Sequence, residues 1–250
     1  MELTTIQFER ADGVATITLD RPAQGNAISA ELVADLKTVC EYIEDEVDEK
    51  VVVIRGAGGQ FCSGIDLTDF PVDDKPNVYG FGKWESACRT IERLPKVTVA
   101  AVDGECAGGG FQLALTCDVR VATERAVFHL HEVREGFLPG MGTFRLSKFI
   151  GLGRARRLAL TGRRLRAEEA QRIGLVDHLC PDSGLDIAVA EAIEEFGEIN
   201  PVAIELCRRL FDESFEMPYE EFIGSFLAAQ HRAIQTEPFL RRVRKAHGVA

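Results

Sequence analysis

The sequence predicts an α/β protein that ends in an all-helical region. Three observations support this fold class. Segments with strand periodicity alternate with segments of helical periodicity, several strand-like runs are apolar throughout, and only helical patterns follow Asn200-Pro201. We therefore expect a core domain over residues 1–199 and a C-terminal helical region over residues 200–250.

Periodicity also predicts the elements of the first half of the chain. Residues 4–20 alternate apolar and polar side chains on both sides of Asp12-Gly13, which indicates a β-hairpin. A helix should follow Ser29, a favourable N-cap residue, because apolar residues then recur at helical spacing. These residues are Leu32, Leu36, Val39, Ile43 and Val47. Residues 51–54 form a short apolar run, typical of a strand that is covered on both faces.

The same alternation continues through the second half. The predicted elements are strands over 97–102 and 118–123, a glycine-led segment over 108–116, two or three short helices between 141 and 172, and helices through about 212, over 219–235 and over 237–246. Asn200 and Pro201 combine an N-cap residue with the favoured first helical residue, so they predict where the helical region begins.

Composition excludes several classes of function. The formal net charge of −11 argues against binding to nucleic acid or to an anionic membrane, both of which require a basic surface. No apolar run approaches the roughly 20 residues of a membrane span, and the first twenty residues do not resemble a signal peptide. The seven cysteines lack metal-ligand spacing, which favours buried thiols in a reducing compartment. We expect a cytoplasmic protein without a bound metal.

Two glycine-rich loops are the strongest candidates for a ligand site. Residues 56–67 follow the first apolar strand, and residues 104–111 follow the second. Glycines let a backbone approach a ligand closely, and helix N-termini favour oxygen anions. We therefore expect Ser63, Gly64, Gly108 and Gly110 to lie against a ligand. Neither loop has the spacing of a phosphate-binding motif, and tight packing of a helix on a strand remains the alternative.

Five segments of the chain resemble the crotonase family, also called the enoyl-CoA hydratase/isomerase family. They are LDRPAQGNAIS (19–29), VVVIRGAGGQFCSGIDL (51–67), ERLPKVTVAAVDGECAGGGFQLALTCDVRVAT (92–123), HEVREGFLPGMGTFRL (131–146) and GRRLRAEEAQRIGLVDHL (162–179). The resemblance implies a crotonase-like spiral of ββα units with a C-terminal helical trimerisation region. It also implies an acyl-CoA thioester as substrate, no cofactor beyond the coenzyme A of that substrate, and a homotrimer or hexamer.

The resemblance also assigns catalytic roles to particular positions. The two backbone N–H donors of the family's oxyanion hole correspond to Ile65 and Gly109, and one of its two catalytic glutamates corresponds to Glu132. Such donors stabilise the negative charge that forms on a thioester oxygen when a proton leaves C2, and one donor typically contributes about 10²–10³ in rate.

The chain departs from the hydratases of the family at Gln112, where they carry the second glutamate. A neutral amide can orient a water molecule but cannot accept or deliver a proton at ordinary pH. A single carboxylate can take a proton from one allylic carbon and return it to another. We therefore favour double-bond isomerisation with Glu132 as the proton carrier. Hydration with Gln112 holding the water, another enolate reaction such as decarboxylation, and non-catalytic acyl-CoA binding remain alternatives.

Several neighbouring residues have two interpretations. Glu135 is a rival to Glu132 as the base, although the resemblance places it at a normally apolar position. Asp66 is better explained as the cap of a helix that begins near Leu67 than as a catalytic acid. His129 and His131 have the spacing of two metal ligands on a strand, but no third ligand is nearby, so we expect polar residues beside the site.

Residues 70–84 are expected to form a wall of the acyl pocket, since they combine aromatic residues with prolines and glycines. Tyr79, Phe81 and Trp84 would then select the acyl group, although core packing explains Trp84 equally well. Basic residues concentrate between 145 and 172. Some of them could contact the phosphates of coenzyme A, and most are expected on solvated helix faces.

Overall fold

The computed structural model describes residues 2–71, 78–197 and 200–248. Two compact units divide the chain, Met1–Glu195 and Phe196–Ala250. The strands of the first unit are β1 (Ile6–Ala11), β2 (Val14–Leu19), β3 (Val51–Gly56), β4 (Val97–Val102), β5 (Glu105–Ala107), β6 (Val119–Thr123), β7 (Val127–His129), β8 (Leu165–Arg166) and β9 (His178–Cys180). Its helices are α1 (Ala30–Glu46), α2 (Tyr79–Arg93), α3 (Gly109–Leu115), α4 (Glu132–Glu135), α5 (Gly142–Ile150), α6 (Leu152–Thr161), α7 (Ala167–Arg172) and α8 (Leu185–Glu194).

The strands form two sheets. The larger has the order β1-β2-β3-β4-β6-β9, and the smaller has the order β5-β7-β8. Only the first pair of the larger sheet is antiparallel, and the strands from β2 onwards are parallel. Parallel neighbours need crossover connections, which here contain helices, so the predicted α/β class is confirmed.

The predicted hairpin and first helix are confirmed. Asp12 and Gly13 connect β1 to β2, and both have positive φ angles, 51° and 77°, as a tight hairpin turn requires. Ser29 caps α1, because its side chain accepts a hydrogen bond from the Leu32 amide at 3.2 Å. The capped helix buries its apolar face on the core.

The parallel pair β3 and β4 positions the two glycine-rich loops. Val51 pairs with Val97 and Arg55 with Ala101, so both strands run in register toward the same edge of the sheet. The residues of β4 are buried throughout, as the apolar run predicted. Both loops leave the sheet at the carboxyl ends of adjacent strands, where open parallel sheets bind ligands.

The first loop leads into a single 3₁₀ turn, Leu67–Asp69, rather than into the expected helix. Asp66 does cap this turn, since its carboxylate accepts a hydrogen bond from the Thr68 amide at 3.1 Å. The turn ends because Phe70 is extended before Pro71, and a residue before proline disfavours helical geometry. A helix dipole is therefore available only at the second loop, which leads into α3.

The cysteines behave as the sequence predicted. All seven are free, and six of them are buried: Cys40, Cys62, Cys88, Cys106, Cys117 and Cys180. Burial raises the pKa of the Cys62 thiol to about 12, so this thiol stays protonated. Among the described residues no group of three or more His, Cys, Asp or Glu side chains is arranged to hold a metal ion. None of the described helices is both long and apolar enough to cross a membrane.

The second unit is helical, as predicted. It contains α9 (Pro201–Glu213), α10 (Tyr219–Ile234) and α11 (Glu237–Ala246). The Asn200 side chain caps α9 by accepting a hydrogen bond from the Val202 amide at 3.1 Å. Large apolar side chains are exposed on this unit, among them Phe211, Phe215, Tyr219 and Leu227. The oligomerisation role expected of this region stays a prediction.

A buried ion cluster fixes α2 against α5. Arg145 is 3% exposed, and its guanidinium donates to Glu92 at 2.6 Å and to Glu85 at 2.6 and 2.9 Å. Arg145 belongs to the basic segment 145–172, some of whose residues were expected to contact the phosphates of coenzyme A. In the structure its guanidinium instead forms ion pairs with two carboxylates of the same chain, Glu85 and Glu92.

Replacing Arg145 with methionine should therefore destabilise the protein. The change leaves two partly buried carboxylates without their shared cation. Removing one partner of a buried ion cluster lowers the free energy of unfolding by about 2–4 kcal/mol when water reaches the remaining partners. Urea unfolding would measure the loss. The exposed Arg156→Met is the matched control and should change stability by under about 0.5 kcal/mol. Equal effects of the two substitutions would show that the cluster contributes nothing.

Candidate active site

Asn26 holds the first glycine-rich loop in place. It is completely buried, and it has a positive φ of 54°. Its side-chain amide donates hydrogen bonds to the carbonyl oxygens of Ala57 and Gln60, each at 2.9 Å. Its side-chain oxygen accepts from the Arg21 amide at 2.9 Å. One buried amide thus satisfies three backbone groups and fixes the path of the loop.

The geometry of Ile65 leaves its backbone N–H available. The Ile28 amide donates to the Gly64 carbonyl at 2.8 Å, and the Asp66 amide donates to the Ile28 carbonyl at 2.9 Å. Ile65 and Ile28 therefore form a parallel β-bridge. In a parallel bridge, the hydrogen bonds to the partner strand are made by the two flanking residues, here by the Gly64 carbonyl and the Asp66 amide. The N–H of Ile65 therefore points away from Ile28.

The second loop lies against the first. Cys62 and Cys106 form another parallel bridge, and the Gly108 amide donates to the His129 carbonyl at 3.0 Å. A methyl group on Gly108 would lie 3.6 Å from the Cα of Gly64. Within the described residues, neither Ile65 N–H nor Gly109 N–H donates to a protein acceptor. Both residues line the same cavity, so two unused backbone donors occupy one site.

The three consecutive glycines have two different structural explanations. Gly108 has a φ of 50°, and a methyl group there would lie 3.1 Å from Glu132 Oε1. On Gly109 a methyl group would meet the end of the Ile28 side chain at 2.5 Å, and on Gly110 it would meet the backbone oxygen of Cys62 at 2.5 Å. Close approach to a reactive group accounts for Gly108, whereas tight packing accounts for Gly110.

Glu132 is a buried carboxylate, and one of its two oxygens has no hydrogen-bond partner. It begins α4 and is 3% exposed, and its Oε2 atom is buried without a hydrogen bond. Burial raises its pKa above the ordinary value. Glu135, the rival, is 41% exposed at its side chain and lies 3.3 Å from His131 Nε2. A carboxylate with a raised pKa beside free backbone donors has the properties of a general acid or base.

The two histidines lie beside the site, as the sequence predicted. His129 Nε2 contacts Glu105 Oε1 at 2.7 Å, and Arg164 approaches the same oxygen at 3.6 Å. Burial lowers the pKa of His129, which favours its neutral form. The ring centroids of His129 and His131 are 4.7 Å apart, and His131 lines the same cavity as Ile65 and Gly109.

Two cavities meet at Glu132. The smaller, about 200 Å³, is lined by both glycine-rich loops and holds the backbone donors. The larger, about 260 Å³, is lined mainly by apolar residues. Its lining residues include Phe81, Trp84, Gln112, Phe137, Leu138 and Met141. Ile65, Glu132 and Phe137 line both cavities, so a ligand that extends from one to the other passes the carboxylate.

Gln112 is fixed at the wall of the larger cavity. Its side chain is 4% exposed and has no hydrogen-bond partner among the described residues. A methyl group on Gly140 would lie 2.9 Å from its Oε1 atom, and one on Gly142 would lie 3.3 Å from its Cγ atom. The absence of side chains at Gly140 and Gly142 therefore leaves the space that the Gln112 side chain occupies.

The predicted residues divide into those that line a cavity and those that do not. Ser63, Gly64, Ile65, Gly108, Gly109, Gln112, Glu132, Phe81 and Trp84 line one or both. Gly110 lines neither of the two cavities, and Tyr79 is 75% exposed and also lines neither. Part of the expected pocket wall, residues 72–77, lies outside the described residues. The roles assigned to all of these side chains stay predictions.

The opposite wall of the larger cavity was not predicted from the sequence. Phe137, Leu138 and Met141 follow the catalytic candidate Glu132 within ten residues and line that cavity. The alternation of glycine, apolar residues and proline over 136–141 was the available signal, because exposed apolar residues in a turn often form a binding surface.

Comparison with known proteins gives one consistent answer. Residues 9–239 match the family model described as enoyl-CoA hydratase/isomerase. The chain is 32% identical over 219 residues to the short-chain-enoyl-CoA hydratase of Clostridium acetobutylicum, covering 86% of this chain and 84% of that protein. The crystal structure of the enoyl-CoA hydratase from Bacillus anthracis has a TM-score of 0.91 at 30% identity and covers 98% of this chain and 96% of that chain. A candidate enoyl-CoA hydratase from Thermobifida fusca, in complex with CoA, has a TM-score of 0.83 at 28% identity and covers 92% and 93%.

Proposed function

Because the chain belongs to the enoyl-CoA hydratase/isomerase family, we propose that it moves the double bond of an enoyl-CoA thioester, with Glu132 as the only proton carrier. The observation that supports this proposal is the buried Glu132 carboxylate, with an unpaired Oε2 atom, beside two unused backbone donors and with an amide at Gln112. One ionisable group at the reacting carbons suits a reaction that removes and returns one proton.

The proposed reaction balances with groups of this chain alone. The Glu132 carboxylate removes a proton from C2 of a 3-enoyl-CoA, and the electron pair of that C–H bond moves onto the thioester oxygen. The N–H groups of Ile65 and Gly109 donate to this oxygen and stabilise its negative charge. The Glu132 carboxylic acid then returns the proton to C4, the carbon–oxygen double bond re-forms, and the product is the 2-enoyl-CoA. No cofactor is needed in this sequence.

The two joined cavities fit a thioester substrate in this orientation. The thioester carbonyl would lie in the smaller cavity, and the acyl chain would extend past Glu132 into the larger, apolar one. The Thermobifida fusca protein of the same fold was solved with CoA, which supports coenzyme A as the carrier group. We further propose a homotrimer or hexamer of this chain.

Hydration is the second candidate, and the names of the relatives favour it, since most of them are called hydratases. In this reaction Gln112 would hold the attacking water by hydrogen bonds, while Glu132 alone carries the proton. The Gln112 amide has no partner among the described residues and lines the larger cavity, so its hydrogen-bonding groups are available to a water molecule. The absence of a second acid at that position is the reason to rank hydration below isomerisation.

Supplying 2-enoyl-CoA and 3-enoyl-CoA separately should distinguish these reactions. We expect each substrate to give a mixture of the two positional isomers, with no gain of 18 mass units, when the products are analysed by mass spectrometry. Formation of 3-hydroxyacyl-CoA from 2-enoyl-CoA as the main product would replace isomerisation by hydration. Tight binding of both thioesters without any product would indicate a non-catalytic acyl-CoA-binding protein.

The pH dependence of kcat/KM should follow the ionisation of Glu132. Burial raises its pKa above the ordinary 4.5, and the base must be ionised in the free enzyme, so activity should fall as the pH decreases through that raised value. The charge of Glu135 raises this pKa further, and that of His131 lowers it. Glu135→Gln should therefore move the acidic limb to lower pH, and His131→Gln should move it to higher pH. An acidic limb that neither substitution moves would assign it to another group.

A further inference from the structure

The indole of Trp84 leaves a buried hydrogen-bond donor without an acceptor. Trp84 is 3% exposed and lines the larger cavity, and its Nε1 atom is buried without a partner. Burying an unpaired N–H is unfavourable, and buried tryptophans usually find an acceptor. An acceptor supplied by a ligand in the cavity would remove this cost.

The donor lies close to the proposed thioester site. A methyl group on Gly109 would lie 3.4 Å from Trp84 Nε1, so the indole N–H lies beside the first residue of α3. The same cavity wall carries Gln112, whose amide also has no protein partner among the described residues. Two residues that carry unpaired polar groups thus line an otherwise apolar acyl cavity near its junction with the thioester site.

The charges of the described residues around the cavity disfavour an anionic acceptor. The ionisable residues that line it are Glu85 and Glu132, and among the described residues no lysine or arginine lines it. The two oxygens of Glu85 accept hydrogen bonds from Arg145, and the indole makes no hydrogen bond to Glu85. A carboxylate on the acyl chain would face Glu132 without a cation, which is unfavourable in a buried site.

We propose that the larger cavity selects an acyl group that carries a neutral oxygen, a ketone or a hydroxyl, within a few carbons of the thioester, and that Trp84 Nε1–H donates to this oxygen. This inference rests on the proposed acyl-CoA function and adds the chemistry of the acyl group. A ketone can also accept from the Gln112 amide, and a hydroxyl can accept from Trp84 while donating to the Gln112 oxygen. A plain alkyl chain leaves both groups unpaired.

Binding of saturated thioesters tests the proposal without turnover. The probes are 3-oxo-, 4-oxo- and 5-oxohexanoyl-CoA, each compared with the hexanoyl-CoA that has a methyl branch in place of the oxygen, and hexanedioyl-CoA as the anionic probe. Calorimetry should give at least about tenfold tighter binding of the oxo compound than of its methyl-branched partner at one position. The methyl-branched compound leaves the buried N–H donor unpaired, which weakens its binding by about this factor. Hexanedioyl-CoA should bind more weakly than hexanoyl-CoA.

Two variants of Trp84 separate the hydrogen bond from ring packing. Replacement by benzothienylalanine keeps the ring size and substitutes sulfur for the N–H, and Trp84→Phe removes the donor with a smaller ring. The oxo preference should fall to within about threefold in both variants, while the affinity for the methyl-branched partner stays unchanged in the benzothienyl variant.

Three results would overturn the inference. These are an absent oxo preference at all three positions, a preference that persists without the N–H, and an equal loss for oxo and methyl compounds in the benzothienyl variant. The last result would assign the donor to the thioester oxygen. Failure of every acyl-CoA to bind would refute the proposed function as well, whereas tight binding without discrimination refutes only the role of Trp84.

Discussion

Glu132→Gln is expected to reduce the exchange of C2 protons of a bound acyl-CoA with solvent deuterium by about 10²–10⁴-fold. The amide keeps the size of the side chain and removes its ability to accept a proton. Because Gln112 is also an amide, no ionisable side chain remains at the two positions where hydratases of the family carry glutamates. Deuterium incorporation measured by mass spectrometry reports this step directly, whatever the overall reaction is.

Glu135→Gln is the matched control, since it changes the other acid that lines the same cavity. It should retain exchange at a neutral pH. Loss of exchange in Glu135→Gln with normal exchange in Glu132→Gln would reverse the assignment of the base.

Unfolding of Glu132→Gln should exclude a folding defect as the cause. A raised pKa means that the folded protein binds the proton more tightly than the unfolded chain, so ionised Glu132 opposes folding above pH 4.5. The amide carries no such charge. At pH 7 the variant should therefore unfold at a temperature no lower than that of the unmodified protein, and its relative gain should disappear as the pH falls below 4.5.

Gly108→Ala is expected to lower kcat/KM by about 10²–10³-fold. The backbone at this position has a φ of 50°, which disfavours any residue with a Cβ atom, and the added methyl group would lie 3.1 Å from Glu132 Oε1. Relief of this crowding must move either the Gly109 amide or the carboxylate. Each movement separates the base from the donors that stabilise the enolate.

Gly151→Ala controls for backbone strain alone. Gly151 also has a positive φ, 77°, but a methyl group there would meet nothing within 4 Å. It should lose stability by about 1–2 kcal/mol without a change in kcat/KM. If both alanine variants lose stability equally and both keep their activity, the geometry at Gly108 does not contribute to the reaction.

Much of the fold could be predicted from local physics. Asp12-Gly13 specify a tight turn, because both residues tolerate the positive φ angles that this turn requires. Ser29 and Asn200 cap helices, and the apolar runs of β3 and β4 indicate strands in the interior. The prediction of a helix near Leu67 was wrong, because the chain forms only one 3₁₀ turn there before Pro71. The crotonase-like architecture, confirmed by its likeness to solved enoyl-CoA hydratases, came from resemblance and not from periodicity.

The site was less predictable because its determinants are contacts between distant segments. Nothing local indicates that Asn26 would bind the carbonyl of Gln60, or that Gly110 would pack against Cys62. Whether Trp84 Nε1 has a hydrogen-bond partner likewise depends on the residues packed around it. From the sequence, Trp84 could be assigned only to the pocket or to the core. Residue types indicate what chemistry is available, and tertiary contacts decide which groups are left free to perform it.

The donors of the smaller cavity are main-chain atoms, and this fact bears on how such proteins diverge. Every residue except proline carries a backbone N–H, so exchange of the Ile65 side chain cannot delete the donor there. Selection is then free to vary Phe137, Leu138 and Met141, which shape the acyl cavity. This chain and its Bacillus anthracis relative share the fold at 30% identity, and exchange of side chains between such relatives leaves a backbone N–H at every position that is not proline.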